Sequence, residues 1–115
     1  MKIPKPTEAE KERFRSLVPD DPRVTVKPMF GNLGAFVNGN MFMGLFGADI
    51  GLRLAPEEAY ALRAVEGSGP FGPAERPMGG YVSMPPALIG TAEGAAWVDR
   101  SLAFAATMPP KQAKG

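Results

Sequence analysis

The predicted fold is built around residues 31–54, which read GNLGAFVNGNMFMGLFGADIGLRL. Short apolar runs alternate here with glycine turns. Asn38-Gly39 between two such runs is a strong hairpin signal, because a type I′ turn needs positive φ at both central residues. Residues 47–49 mark a second tight reversal into the run 50–54. With a strand over 23–30, where Val24 and Val26 alternate with polar residues, the sequence predicts four antiparallel strands in a meander.

Helix signals flank this meander. Thr7-Glu8-Ala9-Glu10 reads as a capping box, in which the threonine hydroxyl and the Glu10 carboxylate satisfy amides of the first helical turn. Pro56 stands where a second helix would begin, and Gly67 where it would close. An apolar stripe near the end of the chain predicts a helix that covers the sheet. The predicted elements outside the meander are helix 8–17, the helix from Pro56, strand 81–84 and helix 91–108.

The order α-β-β-β-β-α-β-α predicts an α+β domain, with an antiparallel sheet of about five strands and helices packed mainly on one face. One domain is expected over residues 7–108. Residues 109–115 are polar and rich in helix breakers, so we expect a flexible tail there. Residues 67–80 are rich in glycine and proline and predict a long irregular loop, which in a compact domain is commonly functional or mobile.

Composition excludes several kinds of chemistry. The chain has 115 residues, 13 basic and 12 acidic side chains, a formal net charge of +1, and neither cysteine nor histidine. Thiol nucleophiles, Ser-His-Asp triads and zinc sites built from thiolates or imidazoles are therefore excluded. A near-neutral charge also argues against tight binding of nucleic acid by electrostatics alone. The sequence contains no apolar stretch of about 18 residues, which is the length that a membrane-spanning helix needs. We expect a cytoplasmic protein.

No catalytic constellation is visible among the remaining residue types. The glycine turn 31–34 and the loop 67–80 lack the spacing of a P-loop or a dinucleotide fingerprint. Glu57-Glu58 are neighbours on a predicted helix and point about 100° apart, so they are better explained as helix-start electrostatics. Asp20-Asp21 lies between prolines in a predicted turn, where solvation of the two carboxylates is sufficient to explain them. We expect no catalytic residues, no metal and no cofactor.

Methionine and phenylalanine concentrate in the meander and form the candidate interaction surface. Strict alternation in the run 40–46 would put Met41, Met43 and Leu45 on one face and the intervening residues on the other, so both faces are apolar. Either this strand is central and covered on both sides, or one face meets another chain and the protein is a homodimer. The residues of the candidate surface are Met29, Phe30, Met41, Phe42, Met43 and Phe46.

Three basic residues are candidate contacts for an anion: Lys27, Arg53 and Arg76. One alternative function is therefore a protein that binds a small anionic ligand beneath the loop 67–80. A second alternative is a nucleic-acid-binding module built on the same cations, whose affinity would fall steeply with salt.

A set of residues in fixed order resembles a known family. It begins with Lys27-Pro28-Met29-Phe30-Gly31 and continues through Gly34, Phe36, Asn38-Gly39, Met41-Phe42, Leu52-Arg53-Leu54, Pro77-Met78, Tyr81-Val82-Ser83-Met84-Pro85, Trp97 and Arg100-Ser101-Leu102. Over about residues 10–106 the chain resembles the TfoX/Sxy N-terminal domain family. It departs from the family pattern at Pro28 and Asn32, where basic and glycine residues are more usual.

The resemblance implies a secretion-chaperone-like α+β fold. It also implies a role similar to that of the family's competence regulators, which act as transcriptional co-activators alongside the cyclic-AMP receptor protein and carry a second, C-terminal domain. It brings no catalytic residues. Our leading prediction is a non-enzymatic, cytoplasmic protein-interaction domain of the regulator type that forms a homodimer. We expect a protein partner in transcription regulation and no membrane partner.

Overall fold

The computed structural model describes residues 3–110. In chain order the elements are α1 (Glu8–Leu17), β1 (Val24–Met29), β2 (Asn32–Val37), β3 (Asn40–Phe46), β4 (Asp49–Arg53), α2 (Pro56–Arg63), β5 (Gly69–Pro70), β6 (Tyr81–Ser83), a 3₁₀ turn (Pro86–Leu88) and α3 (Ala92–Ala106). The strands form one antiparallel sheet of six in the order β1-β2-β3-β4-β6-β5. The predicted α+β class is confirmed, and the sixth strand is the two-residue β5 inside the loop 67–80.

The meander follows from three tight turns. Asn38 and Gly39 have φ of 53° and 77°, as a type I′ turn requires. Phe30 and Gly31 connect β1 to β2 in the same way, with φ of 49° and 82°. At the third turn Gly47 has φ of 63°. The predicted meander of four strands is therefore confirmed.

The helices begin where the caps predict. The Thr7 amide donates to Glu10 Oε1 at 2.8 Å, and the Glu10 amide donates to Thr7 Oγ1 at 3.1 Å, so the capping box of α1 is formed. Pro56 is the first residue of α2, and the Thr91 hydroxyl accepts from the Gly94 amide at the start of α3. In the part of the chain that the structure describes, no helix has the length and hydropathy needed to cross a bilayer.

All three helices pack on one face of the sheet, and the main core lies between them and the strands. Each helix contributes a side chain without measurable exposure or close to it: Phe14 from α1, Leu62 from α2 and Val98 from α3. Burial of one such side chain stabilises the fold by roughly 1.5–3 kcal/mol. The sheet residues of this core are Leu33, Ala35, Val37, Phe42, Met43, Leu45, Ile50, Leu52 and Val82.

A β-bulge in β3 changes which residues reach this core. Ala35 pairs with Met43 and Phe36 with Met41, so Phe42 has no partner across the strands. The Ser101 hydroxyl of α3 lies 2.6 Å from the Phe42 carbonyl oxygen and 2.7 Å from that of Arg53, and it donates its one proton to this pair. The prediction of strict alternation in β3 is therefore wrong.

After the bulge, Phe42 and Met43 both point to the helices, together with Leu45. Met41 points to the opposite face, where it belongs to a second, smaller cluster with Phe71 and Tyr81. The predicted tail, residues 109–115, lies mostly outside the described residues. The carbonyl of Pro109, which precedes the undescribed part, accepts from Asn40 Nδ2 at 3.0 Å.

Candidate functional site

A row of glycines crosses the face of the sheet that the helices leave free. Gly34 of β2 pairs directly with Gly44 of β3, which pairs with Gly51 of β4. A Cβ at Gly51 would lie 2.3 Å from Cγ of Phe71, and one at Gly34 would lie 2.9 Å from Sδ of Met41. The absence of side chains thus forms a trough across three strands, and larger residues occupy it from above.

The loop 67–80 supplies the main occupant of this trough. Phe71 is 2% exposed, and its ring lies 6.1 Å from that of Phe46 and 6.0 Å from that of Tyr81. The Met78 amide donates to the Phe71 carbonyl at 2.8 Å, which closes the loop on itself. Of the two alternatives for β3, the structure therefore supports a central strand covered on both sides, by helices and by this loop.

The cover is incomplete towards the β1–β2 turn, where an apolar pocket of about 380 Å³ remains. Its size lies within the range of roughly 300–1,000 Å³ that is typical of ligand sites. Side chains from the sheet, the loop and the N-terminal segment surround it. The lining residues are Ile3, Met29, Phe30, Asn32, Leu33, Met41, Gly44, Leu45, Phe46, Phe71, Pro73 and Met78.

Phe30 at the rim of this pocket is the most unusual residue of the site. It is 78% exposed, and its φ of 49° lies in the left-handed region. That region is unfavourable for a bulky side chain and costs roughly 1–3 kcal/mol. Asn38 occupies the equivalent position of the next hairpin, where its short polar side chain tolerates the conformation. The backbone conformation of Phe30 is therefore unfavourable, and burial of its ring within the domain does not offset this cost.

Among the described residues that line the pocket, Asn32 is the one with an amide side chain, and internal contacts use both ends of that side chain. Nδ2 donates to the Pro4 carbonyl at 3.0 Å, and Oδ1 accepts from the Gly47 amide at 2.9 Å. This side chain ties the N-terminal segment to the turns of two hairpins. It fixes the wall of the pocket and leaves the apolar side chains to face its interior.

The three candidate anion contacts lie outside the lining of the pocket. Lys27 Nζ lies 4.5 Å from the ring centroid of Phe36, and the Arg53 guanidinium lies 5.8 Å from that of Tyr81. Arg76 is exposed in the loop. The structure therefore places these cations apart from one another, on β1, on β4 and in the loop.

Tyr81 connects the pocket wall to β6. Its hydroxyl donates to the Met41 carbonyl at 2.8 Å. Burial raises the pKa of Tyr81 above its ordinary value, and the nearby Arg53 guanidinium partly opposes this. The neutral phenol is thus the form that holds Met41 in place.

Four residues of the predicted interaction surface meet at the pocket, namely Met29, Phe30, Met41 and Phe46. Phe42 and Met43 do not, since both are 0% exposed beneath the helices. Their prediction as surface residues is corrected by the bulge, which turns them to the core. The predicted surface lacks the other lining residues, among them Ile3, Phe71 and Pro73. The available signal was that Gly44 and Gly51 stand equally far from the Gly47-Ala48 turn, which predicts a paired gap on one face.

Over residues 3–110, no group of three or more carboxylate or other potential ligand side chains is arranged to hold a metal.

Comparison with known proteins gives the family. Neither the curated proteins nor the solved structures gave a match. The family model of the TfoX N-terminal domain matches residues 13–105, from within α1 almost to the end of α3. The resemblance seen in the sequence is thereby confirmed, and the chain belongs to the TfoX N-terminal domain family.

Proposed function

We propose that this chain is a non-catalytic protein-interaction domain of the regulator type, which binds a bulky apolar side chain of a protein partner in the pocket beside Phe30. Membership in the TfoX N-terminal domain family supports the regulator type. The single observation that carries the proposal is Phe30, which is strained and exposed at the rim of an apolar pocket.

The energetics of Phe30 favour a contact outside the chain. Within the domain its ring gains little burial, while its backbone conformation is unfavourable. A residue that lowers the stability of the isolated domain is explained when its side chain is buried by another molecule. Aromatic residues are also enriched among those that dominate the energy of protein interfaces.

The lining indicates the chemistry of the bound group. Methionine side chains at positions 29, 41 and 78 are flexible and adapt to partners of different shape. Because the polar ends of Asn32 are already used, an aliphatic or aromatic group is favoured over a charged one. A small anionic ligand is less well supported, since Lys27, Arg53 and Arg76 lie outside the lining.

The experiment compares three immobilised proteins in nuclease-treated soluble extract of the source organism: the natural chain, Phe30→Asn and Tyr60→Ala. Tyr60 is the matched control, because it is another aromatic residue of similar exposure, 77%, on α2. Captured proteins are identified by mass spectrometry. We expect a stoichiometric partner with the natural chain and with Tyr60→Ala, and its loss with Phe30→Asn.

Thermal unfolding distinguishes loss of the interaction surface from loss of the folded state. Asparagine suits the first position of a type I′ turn, so Phe30→Asn should unfold at the same or a higher temperature than the natural chain. Loss of the partner from a fully folded variant then reports on the interaction surface. Capture of the same proteins by all three chains, or of none, would contradict the proposed function.

A further inference from the structure

We propose that residues 3–6 form a strap, which Asn32 positions against the pocket, and that docking of this strap and binding of an apolar group strengthen each other. This inference rests on the proposed function, from which it takes the apolar group, and it adds a condition for tight binding. Ile3 is the residue of the strap that lines the pocket. Asn32 is a positioning residue, because both ends of its amide bind other parts of the chain.

The strap is attached to the sheet at Pro4. The Pro4 carbonyl accepts from Asn32 Nδ2 at 3.0 Å. The Pro4 ring also lies so close to Gly47 that a Cβ there would be 3.0 Å from Cβ of Pro4. Asn32 Oδ1 accepts from the Gly47 amide at 2.9 Å, so one side chain fixes both sides of this contact. Asn32 is 4% exposed, and a hydrogen bond is stronger where water is excluded.

The rest of the strap is weakly held. Residues 3–5 are exposed, and Pro6 is buried. Among the described residues, no backbone–backbone hydrogen bond joins residues 3–6 to another part of the chain. Segments with few buried contacts and an exposed backbone open at a low cost in free energy. The docked and released positions of the strap are therefore close in free energy, and the hydrogen bond from Asn32 decides between them.

Docking and binding are coupled because the docked strap completes the pocket. Ile3 adds its side chain to a lining that otherwise comes from the sheet, the β1–β2 turn and the loop 67–80. It is 36% exposed in the free chain, and a group in the pocket would cover part of that apolar surface. Burial of apolar surface is favourable in proportion to its area. The group therefore binds more tightly when the strap is docked, and by linkage its binding favours the docked position to the same extent.

Nuclear magnetic resonance of isoleucine methyl groups tests the coupling on the full chain, because Ile3, Ile50 and Ile89 are its three isoleucines. Ile3 reports on the strap, and Ile50, which is 0% exposed, reports on the core. The probe is toluene, a bulky apolar molecule, added up to about 5 mM. In the natural chain we expect toluene to shift the Ile3 resonance saturably and to leave that of Ile50 in place.

Asn32→Asp removes one hydrogen bond of the strap, because a carboxylate still accepts from the Gly47 amide but has no proton for the Pro4 carbonyl. We expect it to raise the dissociation constant for toluene about tenfold. The methyl resonance of the strap should move towards its position in unfolded protein, and saturating toluene should return it. Asn40→Asp is the matched control, because Asn40 is also buried and donates to the Pro109 carbonyl outside the pocket. It should change neither quantity.

A second pair of variants leaves Asn32 intact. Ile3→Ala removes the wall that the strap contributes and should raise the dissociation constant about threefold, whereas Lys5→Ala, exposed in the same strap, should not change it. Unchanged or tighter binding by Asn32→Asp or Ile3→Ala would overturn the inference, and so would a natural chain that does not bind toluene. Protein capture that depends on Phe30 but not on Asn32 would overturn this inference alone. A coupled strap in a chain that captures no protein would contradict only the proposed function.

Discussion

The helix-covered and the loop-covered face of the sheet are both apolar, but they differ in how closely their side chains are packed. The helix-covered face holds large side chains without exposure, such as Phe42, Leu52 and Val82. The loop-covered face instead has three glycines in a row, one inserted ring and a pocket of about 380 Å³. The helix-covered face therefore stabilises the domain, while the loop-covered face is less tightly packed and keeps apolar surface accessible.

The difference arises from what covers each face. A helix presents a continuous stripe of side chains, and α3 alone contributes Trp97, Val98 and Leu102 to the core. The loop 67–80 has little regular structure and contributes chiefly Phe71 and Met78 to the other face. A cover made of a few side chains cannot fill the space over three strands, so a pocket is left at one end.

The largest change in stability is predicted for truncation of a phenylalanine, and it should differ between the two faces. Phe42→Ala leaves a cavity in the helix-covered core, where Phe42 is 0% exposed, and we expect a loss of about 4 kcal/mol in the free energy of unfolding. Phe71→Ala should cost about half as much, because its loop can move and the neighbouring pocket is already open to water. Urea unfolding followed by circular dichroism measures both. Equal losses would contradict the claim that the helix-covered face contributes more to stability than the loop-covered face.

The next effect tests whether the glycine row is a receptor for Phe71. Gly51→Ala puts a Cβ 2.3 Å from the Phe71 ring, whereas at Gly44 the nearest ring atom is 3.2 Å away. We expect Gly51→Ala to cost about 2 kcal/mol and to release the loop, and Gly44→Ala to cost less. Cleavage after Glu75 by a glutamate-specific protease should accelerate in the Gly51 variant. Unchanged cleavage would show that the ring adapts without leaving the trough.

A smaller effect concerns the bulge that assigns residues to the faces. Ser101→Ala removes the hydroxyl that donates to the Phe42 and Arg53 carbonyls, and we expect a loss of about 1 kcal/mol. Thr107→Ala is the matched control, since its exposed hydroxyl bonds the Phe104 carbonyl at the end of α3. The two variants are compared by thermal unfolding. Losses of the same size would mean that the bulge does not depend on Ser101.

The smallest effect is a dependence on alkaline pH that belongs to the loop-covered face. Because burial raises the pKa of Tyr81 above 10.0, the folded state holds the phenolic proton more tightly than the unfolded chain. This contribution to stability is present below pH 10.0 and is lost as the pH rises above it. The urea midpoint of the natural chain should therefore fall more steeply in this range than that of Tyr81→Phe. Parallel profiles would contradict it.

Local signals predicted most of the fold. The capping box at Thr7, the Asn38-Gly39 turn and the proline at position 56 each act within a few residues, and each element begins or turns where they indicate. The candidate site was predicted in part, through Met29, Phe30, Met41 and Phe46. Phe71 was missed, because nothing in its neighbourhood along the chain indicates that it packs against glycines of other strands.

The fold class, the order of the elements, the meander and the family could be predicted from the amino-acid sequence, since they depend on local backbone preferences and on residue patterns along the chain. Tertiary structure decided which apolar residues are buried under helices and which line the pocket. The bulge at Phe42 shifts the alternation of β3 by one residue; it lies where β3 pairs with β2, and the Phe42 carbonyl accepts a hydrogen bond from Ser101 of α3. Contacts between elements distant along the chain control that choice, and a pattern read along one strand cannot include them.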